Sequence, residues 1–362
     1  MPTKAVNTEQ LTRAAITYNN VLRELPFFAF NEVAKALRLN ILKVHGKDIA
    51  ITARRRAGIL RPYIAGMTPE KQKELVKFFE SKLEPELTYA AIYDNITNYR
   101  DKNVLSNQGE IQSNQTKKHP LELLILMAIV RSYGEDVIFS MFFAERDTTV
   151  KSPMTSFNGF FPKLDMLTVS GEIDAAKNNL KTTGVFNNGA TPGIGTDGKN
   201  HYDRLVAFIK SSNPLLRATG EVLLYAAENP VVQAREGLRE KMKYFAMPDV
   251  AQLLEKLRSD CNAPGLNILS HLALGTGDKL MLAKPGLFDF GVDNESDDRY
   301  VQVRNPFEDP NEVQFWIQAG YDTRIIDVHE KVFCTNEQTN TALDLAGDYR
   351  DESETVEPEP ET

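Results

Sequence analysis

The sequence predicts an α+β protein in which helices and strands are grouped along the chain rather than strictly alternating. Three observations point there. Leu11, Ala14, Ala15, Tyr18, Val21 and Leu22 recur at helical spacing within residues 9–39. A second stretch, Leu121 to Glu145, is long and apolar nearly all round at its start. From Leu266 onward short strand-like runs dominate. Among them Val313, Phe315, Ile317 and Ala319 alternate with Gln314, Trp316 and Gln318, as in a half-buried strand.

In chain order, the first helical pattern is broken by Leu25-Pro26 and resumes from Phe27 to Leu39, because proline removes a donor and crowds the preceding turn. Ile41 to Ile51 reads as strand around a turn at His45-Gly46-Lys47-Asp48. Thr68-Pro69-Glu70 combines a capping hydroxyl with Pro at the first helical position, which predicts a helix to about Leu83. Residues 86–118 predict a long polar hairpin. Its first part alternates weakly, its second is almost wholly polar, and Asn107-Gln108-Gly109 supplies a turn. A two-stranded hairpin is marginal by itself in water. This segment is therefore expected either to be disordered or to gain its burial from another chain.

Pro120 opens the strongest helix, which should be buried on several sides, with Gly134 as a point where it can bend. "SPMTSFNGFFPKLD" (152–165) predicts a turn-rich exit carrying three Phe, and residues 184–200 are glycine-rich. Tyr202 to Ile209 reads as a helix and residues 221–226 as a buried strand. Asn229-Pro230 opens a helix to about Tyr244, Pro248-Asp249 opens another to about Cys261, and Ile325 to Phe333 reads as a further strand.

Composition sets outer limits. The 362 residues are 42% hydrophobic and 25% charged, which is ordinary for a folded chain. No apolar run approaches the ~20 residues that span a bilayer, and "MPTKAVNTEQLTRAA" lacks the apolar centre of a signal peptide, so a soluble protein is expected. Cys261 and Cys334 form no CxxC and are expected to be small apolar fillers. The net charge is −8, and residues 348–362 hold seven acids against one Arg, so the rest of the chain carries only about −2. That tail reads as disordered, and the body has no basic footprint for nucleic acid. One cluster, Arg54, Arg55, Arg56 and Arg61, could meet phosphate, although a solvated or carboxylate-paired face is the favoured reading.

No motif builds a catalytic constellation. Gly193 to Lys199 spells G-x-x-x-x-G-K, but Asn200 stands where a phosphate-binding loop needs a hydroxyl for magnesium, and no buried strand precedes it. A surface loop is the favoured reading. The acidic run Asp293-Asn294-Glu295-Ser296-Asp297-Asp298 partly mimics a calcium loop, yet Asp298 replaces the required Gly and Arg304 the bidentate Glu; a turn between strands is expected. His45, His119, His201, His271 and His329 lack ligand spacing and are expected at the surface or in turns; no G-x-S-x-G occurs. The chain is therefore expected not to be an enzyme, with no cofactor, no metal and no catalytic or cofactor-binding residues. A nucleotide-binding enzyme using residues 193–199 is the remote alternative.

The order of parts is more telling than any motif. A helical N-terminal region, a polar hairpin, the apolar helix Leu121 to Glu145, the exit Phe157-Asn158-Gly159-Phe160-Phe161, the helix–strand–helix of residues 201–242 and the strand-rich ending 278–333 follow one another. This order resembles the major capsid proteins of tailed bacteriophages, the Hong Kong 97 phage-type fold. The resemblance covers about residues 86–335. It implies an N-terminal helical arm (1–85), an extended β-hairpin loop (86–118), a peripheral domain with the spine helix (119–165), an axial domain (166–296), peripheral-domain strands (297–345) and a disordered acidic tail (346–362).

The function so implied is mechanical. Copies would self-assemble into pentamers and hexamers that form the icosahedral head around viral double-stranded DNA. Their partners would be further copies, the portal and other head proteins, and packaged DNA by non-specific proximity, with no membrane. The location would be the virion capsid, assembled in the host cytoplasm. Tyr89, Ile92, Ile96 and Tyr99 would bury against an adjacent copy, and Arg54, Arg55, Arg56 and Arg61 would pair with a neighbour's carboxylates or with DNA. The alternatives are an encapsulin-like compartment shell or another structural or adaptor component of the virion.

Overall fold

The computed structural model describes residues 8–55, 76–95, 121–150, 152–187, 189–243, 246–293, 301–304 and 312–343. The chain opens with helices α1 (Thr8–Thr17) and α2 (Asn19–Leu37), then strands β1 (Asn40–Lys43), β2 (Asp48–Arg55), β3 (Val76–Leu83) and β4 (Glu86–Asn95). Helices α3 (Leu121–Phe143) and α4 (Phe160–Val169) and the short strand β5 (Leu180–Lys181) follow. Next come α5 (His201–Ser211), α6 (Pro214–Ala218), β6 (Val222–Ala226), α7 (Glu228–Met242) and α8 (Val250–Cys261). The remainder is strand: β7 (Leu266–Leu269), β8 (Thr276–Gly277), β9 (Leu280–Ala283), β10 (Phe288–Asp293), β11 (Val301–Arg304), β12 (Glu312–Ile325), β13 (Phe333–Asn336) and β14 (Asn340–Thr341).

Two five-stranded sheets organise these elements. In the first, β12 is central: β4 pairs along one edge of it (312–321), β11 and β10 pair in turn along the other edge (314–317 and 320–325), and β1 joins β10 in parallel. Val313, Phe315, Ile317, Ala319 and Tyr321 face inward and are buried, as the alternation predicts. Helix α3 lies among these residues, with α1 and α2 packed along it, and that is why its sequence is apolar nearly all round. Leu126 and Val130 are fully buried there, each contributing roughly 1.5–3 kcal/mol.

The second sheet runs β5-β13-β9-β6-β7 and is a wall between two cores. On β6, Leu223 and Tyr225 enter the core of the first sheet, while Val222, Leu224 and Ala226 enter a second core built by α5, α7 and α8. β9 divides in the same way, Met281 and Ala283 against Leu280 and Leu282. Burial on both faces explains why these strands read as continuous apolar runs.

Several expectations need correction. The N-terminal break falls at Tyr18, and Pro26 lies inside α2, whose packing along α3 outweighs the local cost of a proline. Residues 76–83 are strand, not helix, because they pair with β2 from Asp48↔Leu83 to Arg55↔Val76; the capping signal at Thr68 and Pro69 lies outside the described residues. Residues 86–95 are not a limb of a protruding loop but a ten-residue strand bonded to β12, while 96–118 lie outside the described residues. The exit 152–165 contains the start of α4. Residues 326–332 are a connection, and Phe333–Asn336 joins the second sheet, while β10 joins the first. The acidic tail lies outside the described residues.

Candidate assembly surface

The hairpin β2–β3 forms a two-stranded sheet of its own. Residues directly opposite in an antiparallel pair share a face, so its two faces can be read from the register. One carries Ile49, Ile51, Ala53, Val76, Phe78, Glu80 and Lys82. The other carries Asp48, Ala50, Thr52, Arg54, Lys77, Phe79, Ser81 and Leu83.

The second face is bound to the body. Leu83 is fully buried against Gly291, where any Cβ would sit 2.8 Å from its Cδ2. Ser81 Oγ donates to the Ile325 carbonyl at 2.8 Å, and the Glu84 amide donates to Asp322 Oδ2 at 2.8 Å. Asp48 pairs at 2.7 Å with Arg324, which also holds the buried Asp289 at 2.6 Å. The first face is open: Ile49 is 45% exposed, Ile51 62%, Val76 43% and Phe78 69%. Four large apolar side chains on one strand-pair face is a patch, not scattered surface residues.

A smaller open surface lies on the outward side of the first sheet. Tyr89, 58% exposed, stacks on Trp316 with ring centres 5.0 Å apart and planes within 5°. Arg304 lies over that indole, 5.7 Å from the ring centre. Tyr89 and Ile92 are exposed in part, while Ile96 and Tyr99 lie outside the described residues.

The remaining candidates resolve differently. Arg54 is paired within the chain, at 2.5 Å from Asp327, so it is not free for a neighbour or for DNA; the Arg55 side chain, Arg56 and Arg61 lie outside the described residues. The 193–199 loop is closed on itself. The amides of Gly195 and Gly198 donate to the carbonyls of Lys199 and Gly195, each at 2.9 Å, and that of Lys199 donates to Asp197 Oδ1 at 3.1 Å. Asp197 in turn pairs with Arg204. The amides of Ile194, Gly195, Gly198 and Lys199, which a phosphate would need, are spent within the chain, and an acid, Asp197, stands in the loop. Asn200 caps α5, accepting from the Tyr202 amide at 2.8 Å. Gly193, at φ +78°, packs so closely on α7 that a Cβ would lie 2.3 Å from the Gly237 nitrogen.

Asp293 ends β10 with its carboxylate 3.2 Å from His45, and 294–298 lie outside the described residues. Among the described residues no group of three metal-ligating side chains occurs, and no helix is long and apolar enough to cross a membrane. His271 and His329 accept turn amides through Nδ1, at 3.0 and 3.2 Å. His201, expected at the surface, is instead fully buried, stacked on Phe186, with Nε2 3.1 Å from the Asn187 carbonyl. Its burial lowers its pKa. Both cysteines are buried and free; burial pushes the Cys261 thiol up to about 11 and the Cys334 thiol up to about 12.

Among solved structures, the chain is similar to a chain of the satellite phage P4 procapsid that includes the size determination (Sid) protein. The identity is 14%, the TM-score 0.53, and the match covers 88% of this chain and 92% of that one. Lower scores relate it to the capsid of a native GTA particle (10% identity, TM-score 0.46, covering 85% and 96%) and to a virus-like particle from Pyrococcus furiosus (12%, 0.42, covering 88% and 99%). No protein-family model and no curated protein sequence matches. The likeness to the P4 procapsid is one of fold, and the chain carries the α+β fold of phage capsid proteins.

Proposed function

We propose that the chain is a major capsid protein, copies of which join as pentamers and hexamers into an icosahedral head around double-stranded DNA. The observation that carries this is the hairpin β2–β3: a strand pair too small to stand alone, anchored by one face and presenting Ile49, Ile51, Val76 and Phe78 on the other. In this reading the segment that lies on a neighbour is the strand pair 48–55 and 76–83, earlier in the chain than the 86–118 expected from sequence. The contact is heterologous, hairpin of one copy against a different surface of the next, and such contacts close into rings when the rotation allows. Burying each of the four side chains contributes roughly 1.5–3 kcal/mol, repeated at every subunit. The role is mechanical, not catalytic. The chain assembles in the host cytoplasm, meets the portal and other head proteins, and resides in the virion.

The test is electron microscopy of the expressed chain beside the variant Phe78→Asp. Closed shells from the wild type, with folded but unassembled Phe78→Asp, support the reading. A wild-type chain that stays monomeric at high concentration, or a variant that assembles as well as the parent, sinks it. Nucleic-acid content of particles from infected cells separates a DNA-filled head from an empty compartment.

A further inference from the structure

Arg54 belongs to the hairpin but is held by the two passages that carry the chain from one sheet to the other. It lies on the inward face of β2 with its side chain 23% exposed, its guanidinium 3.9 Å from the centre of the Phe79 ring. Nη2 donates to Asp327 Oδ1 at 2.5 Å, and Nη1 lies 3.9 Å from Glu172 Oε2. Asp327 is in the passage 326–332, between β12 of the first sheet and β13 of the second. Glu172 is in the passage 170–179, between α4, packed on β12, and β5 of the second sheet.

Each carboxylate is fixed by its own passage. Asp327 Oδ1 accepts from the His329 amide at 3.0 Å, and Glu172 also pairs with Lys177 at 3.3 Å. The passages are tied to each other as well: the Asn179 side-chain amide donates to the carbonyls of Glu172 at 2.9 Å and Val328 at 2.6 Å. The ties at the hairpin root, Asp48 to Arg324 and Glu84 to Asp322, run to β12 of the first sheet. Arg54 stands further up the strand and reaches both passages. A planar guanidinium can bridge two carboxylates and a ring face at once, which a lysine ammonium cannot.

We infer that Arg54 is a clasp through which the relative position of the two sheets sets the angle of the hairpin. A shift of one sheet against the other moves Asp327 and Glu172, and Arg54 carries that shift to β2 and β3. The inference concerns the isolated chain and stands apart from the shell reading.

Hydrogen exchange followed by mass spectrometry on the full chain tests it. Reporter amides exist in both passages, Ile173 and Lys177 in one, Ile326 and Val332 in the other. Arg54→Leu is expected to speed exchange roughly tenfold or more in both passages together, the scale of losing a charged hydrogen bond, with α5 and α8 unchanged. Asp327→Asn keeps the acceptor for the His329 amide and removes the charge, so it is expected to act in the same direction. If Arg54→Leu yields no folded chain, Asp327→Asn decides by the same reading. A change confined to the hairpin, or to one passage, or no change, overturns the clasp.

Discussion

Gly159 sits where the exit from α3 turns back on itself. Its amide donates to the Ala144 carbonyl at 2.7 Å, and a Cβ there would lie 2.8 Å from the Phe142 carbonyl carbon. Backbone cannot move aside as a flexible side chain can. Gly159→Ala should therefore cost about 1–3 kcal/mol, read from the urea midpoint. His201 gives a second prediction, in pH. Burial lowers its folded pKa from the ordinary 6.5, so below that value the unfolded chain binds the proton that the folded chain refuses. Stability from this group is present above 6.5 and is lost as pH falls toward the folded value. Thermal melts between about pH 7 and 5 should show the decline, and His201→Gln should flatten it; His271 and His329, also lowered by burial, leave a remainder.

At the scale of elements, the two faces of the hairpin should respond oppositely to substitution. Leu83→Ala, on the anchored face, should cost about 2–5 kcal/mol in urea. Ile51→Lys, on the open face, should move the unfolding midpoint by no more than about 0.5 kcal/mol while abolishing the light scattering of assembly. Equal effects on stability would contradict the face assignment. This hairpin also departs from the sequence expectation of a helix to about Leu83. Ile49, Ile51, Val76 and Phe78 have the chemistry of core residues, and hydrophobicity cannot distinguish a chain's own interior from a neighbour's. In the stretch 86–118, which reads as a polar hairpin, the first ten residues pair with a strand more than two hundred positions away, a partner no local pattern reveals. Helices α5 and α8 are legible because their side-chain caps, Asn200 and Asp249, are local, and α3 because a long apolar run needs no distant partner to be read. For Arg54 the favoured reading, a solvated or carboxylate-paired face, names no particular carboxylate, because the partner, Asp327, lies 273 positions further along the chain.

For the whole molecule, the second sheet's position decides cooperativity. Since β6 and β9 send alternate side chains into two cores, neither core can melt without exposing one face of the wall they share. Calorimetry should show one transition. Leu126→Ala in the first core and Leu224→Ala in the second should each lower that same transition, by about 2–5 kcal/mol apiece. Two separable transitions would mean the wall belongs to one core only.

The parallel pairing of β1 with β10 brings together residues such as Asn40 and Asp289, 249 positions apart. A ribosome must therefore release most of the chain before the first sheet can close, and closing so distant a loop is slow. Until then the nascent polypeptide has no finished platform on which a sibling could settle. In the assembly proposed above, closure this late would delay recruitment of a copy until its translation is nearly over.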